Sequence, residues 1–254
     1  AIKPPWYFSF PEYLIDMAVN WSVGYVVTVS KNCLNTLKSK RGFLNNNKLR
    51  YIYNGIADPT RYINNENTEN IKCNSVKPYC LMLATYEERK GHEYLLRAFK
   101  IVVEKIPESF LRIYGYGRDK EKQRIKNTIK KFNLINNVSL NGFESDSSLL
   151  LSNACLLVVP SQAYESFGLT IIEAMAFSLP VVVTDVGGMP EVLEGSNAGF
   201  VCPKNDPNLF ANSIINILSD QKLSSELGRN GRRTYEERFN AITMSRKYEL
   251  IIKE

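Results

Sequence analysis

From Tyr79 to Val201 the chain alternates short apolar runs with segments of helical periodicity, and few folds accommodate that rhythm. The apolar runs are Tyr79–Ala84, Phe110–Tyr114, Val138–Leu140, Cys155–Val159, Val181–Val183 and Gly199–Val201. Between them lie His92–Lys105, Arg118–Lys131, Ser147–Ser152, Gly168–Phe177 and a short segment after Gly187-Gly188. A strand followed by a helix returns to its own sheet in parallel, so the pattern predicts an α/β fold with a Rossmann-like, doubly wound parallel sheet. Ligands of such sheets bind beyond the carboxyl ends of the strands. A shorter series precedes it: a helix over Pro11–Trp21, a strand over Tyr25–Val29, a helix from an N-cap at Ser30 through Leu37, and a strand over Leu49–Tyr53 ending in the turn Asn54-Gly55. The polar stretch Asp58–Lys77 reads as a linker. Helices over Asn208–Leu218, Lys222–Arg238 and Ala241–Ile252 close the chain. The expected division is 1–57 for a partial second Rossmann-like domain, 58–77 for the linker, 78–238 for the complete domain and 239–254 for a terminal helix.

Composition narrows the function classes. No apolar run approaches the ~20 residues that cross a bilayer. The five cysteines are odd in number, widely spaced and free of any C-x-x-C pair, which predicts thiols in a reducing, cytoplasmic compartment. One histidine and scattered cysteines make a metal site improbable. That histidine, His92, reads as a surface or capping residue at a helix start. Part of the formal charge of +6 sits in Arg118–Lys131, whose apolar face is Ile125, Ile129 and Phe132. The favoured reading is a core-docked helix with a solvated basic face. The sharper alternative is peripheral contact with an anionic membrane or a lipid-linked acceptor. No aromatic residues interleave with these bases, which argues against nucleic acid.

Chemistry concentrates in Pro160–Met175, which follows an apolar run and opens a helix. Gly168 permits a close backbone approach. The free amides of Gly168, Leu169 and Thr170 would point out of the helix start, where unpaired N–H groups and the helix dipole favour an anion. Glu165 lies before the helix and Glu173 inside it, positions suited to hydrogen bonding with sugar or ribose hydroxyls around a phosphate. Taken alone, this is also compatible with an ordinary strand-loop-helix carrying two surface glutamates. Gly115-Tyr116-Gly117 follows a strand, but Lys120 stands where a third glycine would complete a dinucleotide fingerprint.

The stretch resembles the E-x7-E motif of the large family of retaining glycosyltransferases with two facing Rossmann-like domains, the GT-B fold of family 4, or glycosyl transferases group 1. It matches as P-S-x3-E-S-F-G-L-x3-E-A-M-A from Pro160 to Ala176. Tyr53-Asn54-Gly55-Ile56, Lys90-Gly91, Gly115-Tyr116-Gly117, Leu179-Pro180-Val181-Val182, Val186-Gly187-Gly188-Met189-Pro190-Glu191 and Phe239 follow the family order.

The resemblance implies a set of roles. Glu173 would bind the ribose, Glu165 the donor sugar, and the amides of Gly168, Leu169 and Thr170 the phosphates. The loop with Gly115 and Gly117 would approach the nucleotide. Lys90 would neutralise the diphosphate as it leaves, with no cofactor and no metal. Many relatives carry Gly-Arg after the first strand of this domain, where this chain has Ala84-Thr85; Arg89 is the candidate substitute, with a solvent-facing Arg89 as the alternative. The implied reaction moves a hexose from a UDP- or GDP-sugar, with retention, to a glycan or lipid-linked acceptor, in the cytoplasm or at the inner face of the membrane. Residues 1–57 would be the end of an acceptor-binding N-terminal domain supplied in cis or in trans. The isolated chain is then expected to bind donor without turnover. Two rivals remain: a non-catalytic nucleotide-sugar-binding subunit, and another enzyme of the same fold, such as a sugar-nucleotide epimerase.

Overall fold

The computed structural model describes residues 17–18, 21–40, 45–62 and 79–253. Most of the helix expected over Pro11–Trp21, the linker beyond Tyr62 and Cys73 lie outside them. The first sheet is a parallel pair, β1 (Val26–Thr28) and β2 (Leu49–Tyr51), joined by helix α1 (Lys31–Lys40). Leu34 of α1 packs against Leu49.

The second sheet holds β3 (Tyr79–Leu83), β4 (Phe110–Tyr114), β5 (Val138–Leu140), β6 (Leu156–Val159), β7 (Val181–Thr184) and β8 (Gly199–Cys202). Every pairing is parallel, in the order β5-β4-β3-β6-β7-β8. The order reverses between β3 and β6, which is where a doubly wound sheet opens a crevice. Between the strands run α2 (His92–Lys105), α3 (Asp119–Lys131), α4 (Ser148–Ser152), α5 (Leu169–Ala176) and α6 (Met189–Leu193). Helices α7 (Pro207–Ser219), α8 (Gln221–Thr234) and α9 (Ala241–Lys253) complete the chain.

The continuous apolar character of the central strands follows from having both faces covered. Side chains alternate between two cores. Cys80, Met82, Leu156, Val158 and Val182 join one core, with Leu95, Phe99 and Phe210 of α2 and α7. Tyr79, Leu81, Leu157, Val181 and Val183 join the other, with Ile171, Ile172 and Met175 of α5. A one-residue slip in any strand would exchange the two sets, so the register is strongly specified.

The helix expected over Lys222–Arg238 divides in two. After Thr234 the chain widens into a π-helical turn, Tyr235–Phe239, that sends both Tyr235 and Phe239 into the core. The Tyr235 hydroxyl donates to the Ile56 carbonyl, and the Arg238 guanidinium donates to the carbonyls of Glu191 and Glu194. Demands from the surrounding chain, invisible to helical periodicity, open this turn. Ile56 and Asn240 then pair as an isolated parallel bridge, so the two passages between the sheets lie side by side. Tyr53, Phe167 and Phe239 form an aromatic triangle across them, with centroids 5.7–6.0 Å apart. Helix α9 returns along residues 55–56, where the Gly55 amide faces the Met244 sulfur.

The first residues of the expected linker are anchored. Asp58 accepts two hydrogen bonds from Arg232, at 2.7 and 3.1 Å, and Arg232 also reaches Glu236 and the Ala176 carbonyl. Burial alone would raise the Asp58 pKa, but hydrogen bonds from Arg232 and Thr60 outweigh it and hold it at about 2. A carboxyl depressed below its unfolded value of about 3.9 contributes stability that is complete above that pH and fades as pH falls toward 2. Asp58→Asn should therefore destabilise the protein by about 2–3 kcal/mol at pH 7. It should also flatten the loss of stability below pH ~4. Urea titrations across pH measure both, and an unchanged acid profile would show that the pair is energetically idle.

Candidate functional site

The site is assembled by three loops at the carboxyl ends of β3, β4 and β6. The first contains Lys90-Gly91. Gly91 adopts φ +77° and is the N-cap of α2, and a Cβ there would sit 1.9 Å from the Pro160 carbonyl oxygen. Only glycine allows both the left-handed turn and this approach. The contact is reinforced by the Gln162 amide, which donates to the Arg89 carbonyl at 2.7 Å. The two loops are thereby held together, and Lys90 and Glu165, far apart in sequence, form an ion pair with Nζ 2.7 Å from the carboxylate. The Ser161 hydroxyl donates to the same carboxylate oxygen at 3.2 Å.

Arg89 lies beside them but turns away. Its guanidinium meets the Glu87 carboxylate at 2.6 Å and the Tyr164 carbonyl at 3.1 Å, and it does not line the cavity that Lys90 and Glu165 enter. Tyr164 has φ +53°, a strained setting for an aromatic residue, so the contact from Arg89 supports the backbone that presents Glu165.

Helix α5 opens at this cavity. Its N-cap, Gly168, has φ +96° and supplies no side-chain cap, and Gly168, Leu169 and Thr170 of its first turn line the cavity. The cavity measures about 290 Å³ and is lined by Ala84, Lys90, Glu165, Gly168, Leu169 and Thr170, with Asn54 contributed from the first sheet's side. A positive helix end and an ammonium converge there with one carboxylate, a setting for an anionic group bonded to a hydroxylated one.

A second cavity, of about 210 Å³, shares Leu83, Ala84 and Thr170 with the first and is lined also by Gly115, Tyr116, Phe143, Glu144, Ser147 and Glu173. Burial raises the Glu173 pKa, and a hydrogen bond with Ser147 offsets part of that rise. Gly115 is required here, because a Cβ would overlap the Ala84 carbonyl at 1.8 Å. Gly117 packs on Tyr86, where a Cβ would meet the tyrosine Cβ at 2.7 Å. The sequence-predicted residues Glu165, Lys90, Gly168, Leu169 and Thr170 thus meet in one cavity. Glu173 and Gly115 meet in its neighbour, with Gly117 at the adjoining turn.

His92 is a correction to the sequence reading. It is buried at 2% exposure and sits edge-on to Tyr86. Burial, assisted by Arg124, lowers its pKa to about 4, so it is neutral at pH 7. The close packing of Gly91 draws the first turn of α2 inward, which a helix-start position alone does not reveal.

The role of Glu191 was not legible in sequence. Its carboxylate accepts the amides of Lys31 and Asn32 at 2.8 and 2.6 Å, closing the N-terminus of α1 from the other side of the cleft. The preceding Gly187-Gly188 turn packs on the carbonyls of Glu165 and Ser166, and Gly188 also touches Ser30. The Met-Pro-Glu following two glycines was the available signal, but its partner lies about 160 residues away.

Among the described residues no group of histidine, cysteine, aspartate or glutamate is placed to hold a metal ion, and no helix is long and apolar enough to cross a membrane. No disulfide involves Cys33, Cys80 or Cys202.

Residues 64–234 match the family described as glycosyl transferases group 1. The chain belongs to that family. N-acetyl-alpha-D-glucosaminyl L-malate synthase of Bacillus anthracis is 28% identical over 169 residues, covering 66% of this chain and 43% of the synthase. The fold matches Anabaena HepE solved with UDP and glucose at a TM-score of 0.84 and 20% identity, over 98% of this chain and 68% of HepE. Sucrose-phosphate synthase of Thermosynechococcus elongatus matches at 0.80 and 26% identity, over all of this chain and 63% of the synthase. The chain spans about half the length of the curated relatives it matches. The family match and the structural likeness together place the chain in glycosyl transferases group 1 with the GT-B fold.

The Gly187 turn offers a test of how tightly this site is built. Gly187 has φ +62°, and a Cβ there would lie 1.8 Å from the Glu165 carbonyl oxygen; Gly195 has φ +70° with nothing within 4 Å. Gly195→Ala should cost about 1 kcal/mol from strain alone. Gly187→Ala should cost about 2–4 kcal/mol, because overlap adds to strain. Equal losses in denaturant titrations would mean that the turn yields freely.

Proposed function

We propose that this chain binds a nucleoside diphosphate sugar, UDP- or GDP-linked, and forms the donor half of a hexosyltransferase that acts with retention on a glycan or lipid-linked acceptor. The observation that carries the proposal is the Lys90–Glu165 pair, 2.7 Å apart, set against the uncapped start of α5. The diphosphate lies over the α5 amides and Lys90. The sugar meets Glu165, and the ribose donates its hydroxyls to Glu173. As the bond from the anomeric carbon to the diphosphate oxygen breaks, charge builds on the departing diphosphate. Lys90 and the fixed amides stabilise it more there than in the ground state, which is the condition for rate acceleration. No metal takes part in this scheme. Arg89 acts by holding the Tyr164 carbonyl, and so Glu165, in place. HepE was solved with UDP and glucose, which supports a donor of this class.

The acceptor site belongs to the remainder of an N-terminal domain, in cis or in trans, of which β1, α1 and β2 are the visible end. The basic face of α3 is available for peripheral contact with an anionic membrane carrying a lipid-linked acceptor, at the cytoplasmic face. The alternative is a nucleotide-sugar-binding subunit without turnover of its own. Assaying sugar transfer with and without a complete N-terminal domain separates the two; transfer by the 254-residue chain alone would refute the need for that domain.

Lys90→Ala should weaken UDP or GDP binding about tenfold or more while leaving the corresponding nucleoside nearly unaffected, since the ammonium pairs with phosphate. Calorimetry with both ligands checks it, and equal losses would assign Lys90 a structural role. Glu173 accepts ribose hydroxyls as an anion, and its pKa is raised by burial. Nucleotide affinity should therefore fall as pH drops through that raised pKa. Glu173→Gln should bind more weakly at neutral pH, by roughly 1.5–3 kcal/mol, and lose this pH dependence. An unaltered pH profile in the variant would remove Glu173 from the ribose.

A further inference from the structure

The amino ends of the strands, opposite the candidate site, hold another cavity, of about 330 Å³. Cys80 of β3, Phe110 of β4 and the residues that lead into β6 and β7, Cys155 and Pro180, line it. Helix α5 runs between this cavity and the first one. Its opening turn lines the Lys90–Glu165 cavity, and Phe177 and Ser178, just past its end, line this one. A helix of eight residues rises about 12 Å, so the two cavities are separate places. The volume falls within the ~300–1,000 Å³ usual for small-ligand pockets.

The lining mixes two kinds of surface. Phe110, Phe177, Leu151, Leu179 and Leu218 supply apolar area. Ser109, Asn153, Ser178, Gln221, Ser224 and Ser225 supply hydroxyls and carboxamides. No lysine or arginine occurs among the described residues that line it, and its one carboxylate, Glu108, is exposed. A phosphate or carboxylate would therefore find no charged partner there. Hydroxyls and carboxamides both donate and accept, which suits a ligand whose own groups do the same. Ser109 is buried at 5% exposure, and its hydroxyl has no hydrogen-bond partner among the described residues. A buried hydroxyl left unpaired costs about 1–3 kcal/mol, a cost that a polar ligand at this wall removes. Ser178 has φ +54°, an unfavourable setting for a residue with a Cβ. Helix α8 is pressed against it, since a Cβ at Gly228 would lie 2.1 Å from the Ser178 carbonyl oxygen. Strain held by close packing marks a wall whose shape is fixed in advance.

We infer that this cavity is a second binding site, for a neutral saccharide, which holds one pyranose unit of a glycan away from the reacting end of the sheet. A pyranose ring has an apolar C–H face and a rim of hydroxyls. The face packs on the phenylalanine and leucine side chains, and the rim pairs with Ser109 and the other serines and carboxamides of the lining. A purely apolar molecule would leave the Ser109 hydroxyl unpaired, and an anionic one would lack a cation. No bond is made or broken at this site. The inference uses none of the residues assigned to the donor, so it stands or falls apart from that reading.

The experiment is two-dimensional NMR on the ¹⁵N-labelled 254-residue chain, titrated with the methyl glycosides of glucose, galactose, mannose and N-acetylglucosamine, with and without UDP or GDP. At least one glycoside should shift the amide signals of Ser109, Ser178 and Ser224, and nucleotide should not compete. Ser109→Ala should weaken that binding about fivefold, the loss of one hydrogen bond. Ser224→Trp should abolish it by filling the cavity. Both variants should keep the melting temperature and nucleotide affinity of the wild type, because neither residue touches the candidate site. Shifts confined to the surroundings of Glu165 and Glu173 would overturn the inference, as would the absence of binding by every glycoside. Equal binding of cyclohexanol would also overturn it, since the cavity would then select only for apolar bulk. If a glycoside binds as expected but neither nucleotide does, the donor reading fails and this site remains.

Discussion

The packing of Gly91 against the Pro160 carbonyl is the constraint on which the site depends. It joins the loop after β3 to the loop after β6 at the point where the strand order reverses. A side chain at this position would separate the loops, and Lys90 would no longer reach Glu165. The Gln162–Arg89 backbone hydrogen bond and the support that Arg89 gives to Tyr164 reinforce the same junction. The site is therefore a seam between two loops that the sheet brings to one edge. Its two charges, Lys90 and Glu165, are paired across that seam.

The same economy extends to the cleft. Glu165 and Ser166 receive the Gly187-Gly188 turn, Glu191 closes the start of α1, and Phe167 joins Tyr53 and Phe239. A displacement between the first sheet and the second would act directly on the residues flanking Gly168. Asp58 and Arg232 hold the passage between the sheets on the other side. The contacts that connect the two sheets are thus also the contacts that shape the candidate site.

Much of the fold was legible residue by residue. Phe110–Tyr114, Val138–Leu140 and His92–Lys105 appear with the bounds read from periodicity, because the alternating burial of a strand and the apolar face of an amphipathic helix are both local patterns. The break at Thr234 was not legible, since the π-helical turn answers to Ile56, Glu191 and Glu194, which are remote in sequence. His92 was misplaced for a related reason. Polarity and position pointed to solvent, while the packing of Gly91 decided burial.

At the candidate site, the sequence by itself determined which residues share one strand-loop-helix: Glu165, Gly168 and Glu173 lie within it, and their spacing is local. Only the tertiary structure decided their company. Lys90 meets Glu165, Glu191 meets the amides of Lys31 and Asn32, Tyr116 meets Phe143, and Arg89 turns from the cavity toward Tyr164. Each of these contacts is set by where a parallel sheet places the ends of its strands. Local periodicity records that a segment is a strand or a helix, but the spatial neighbours of its last residue follow from strand order and from the few glycines that let two loops touch.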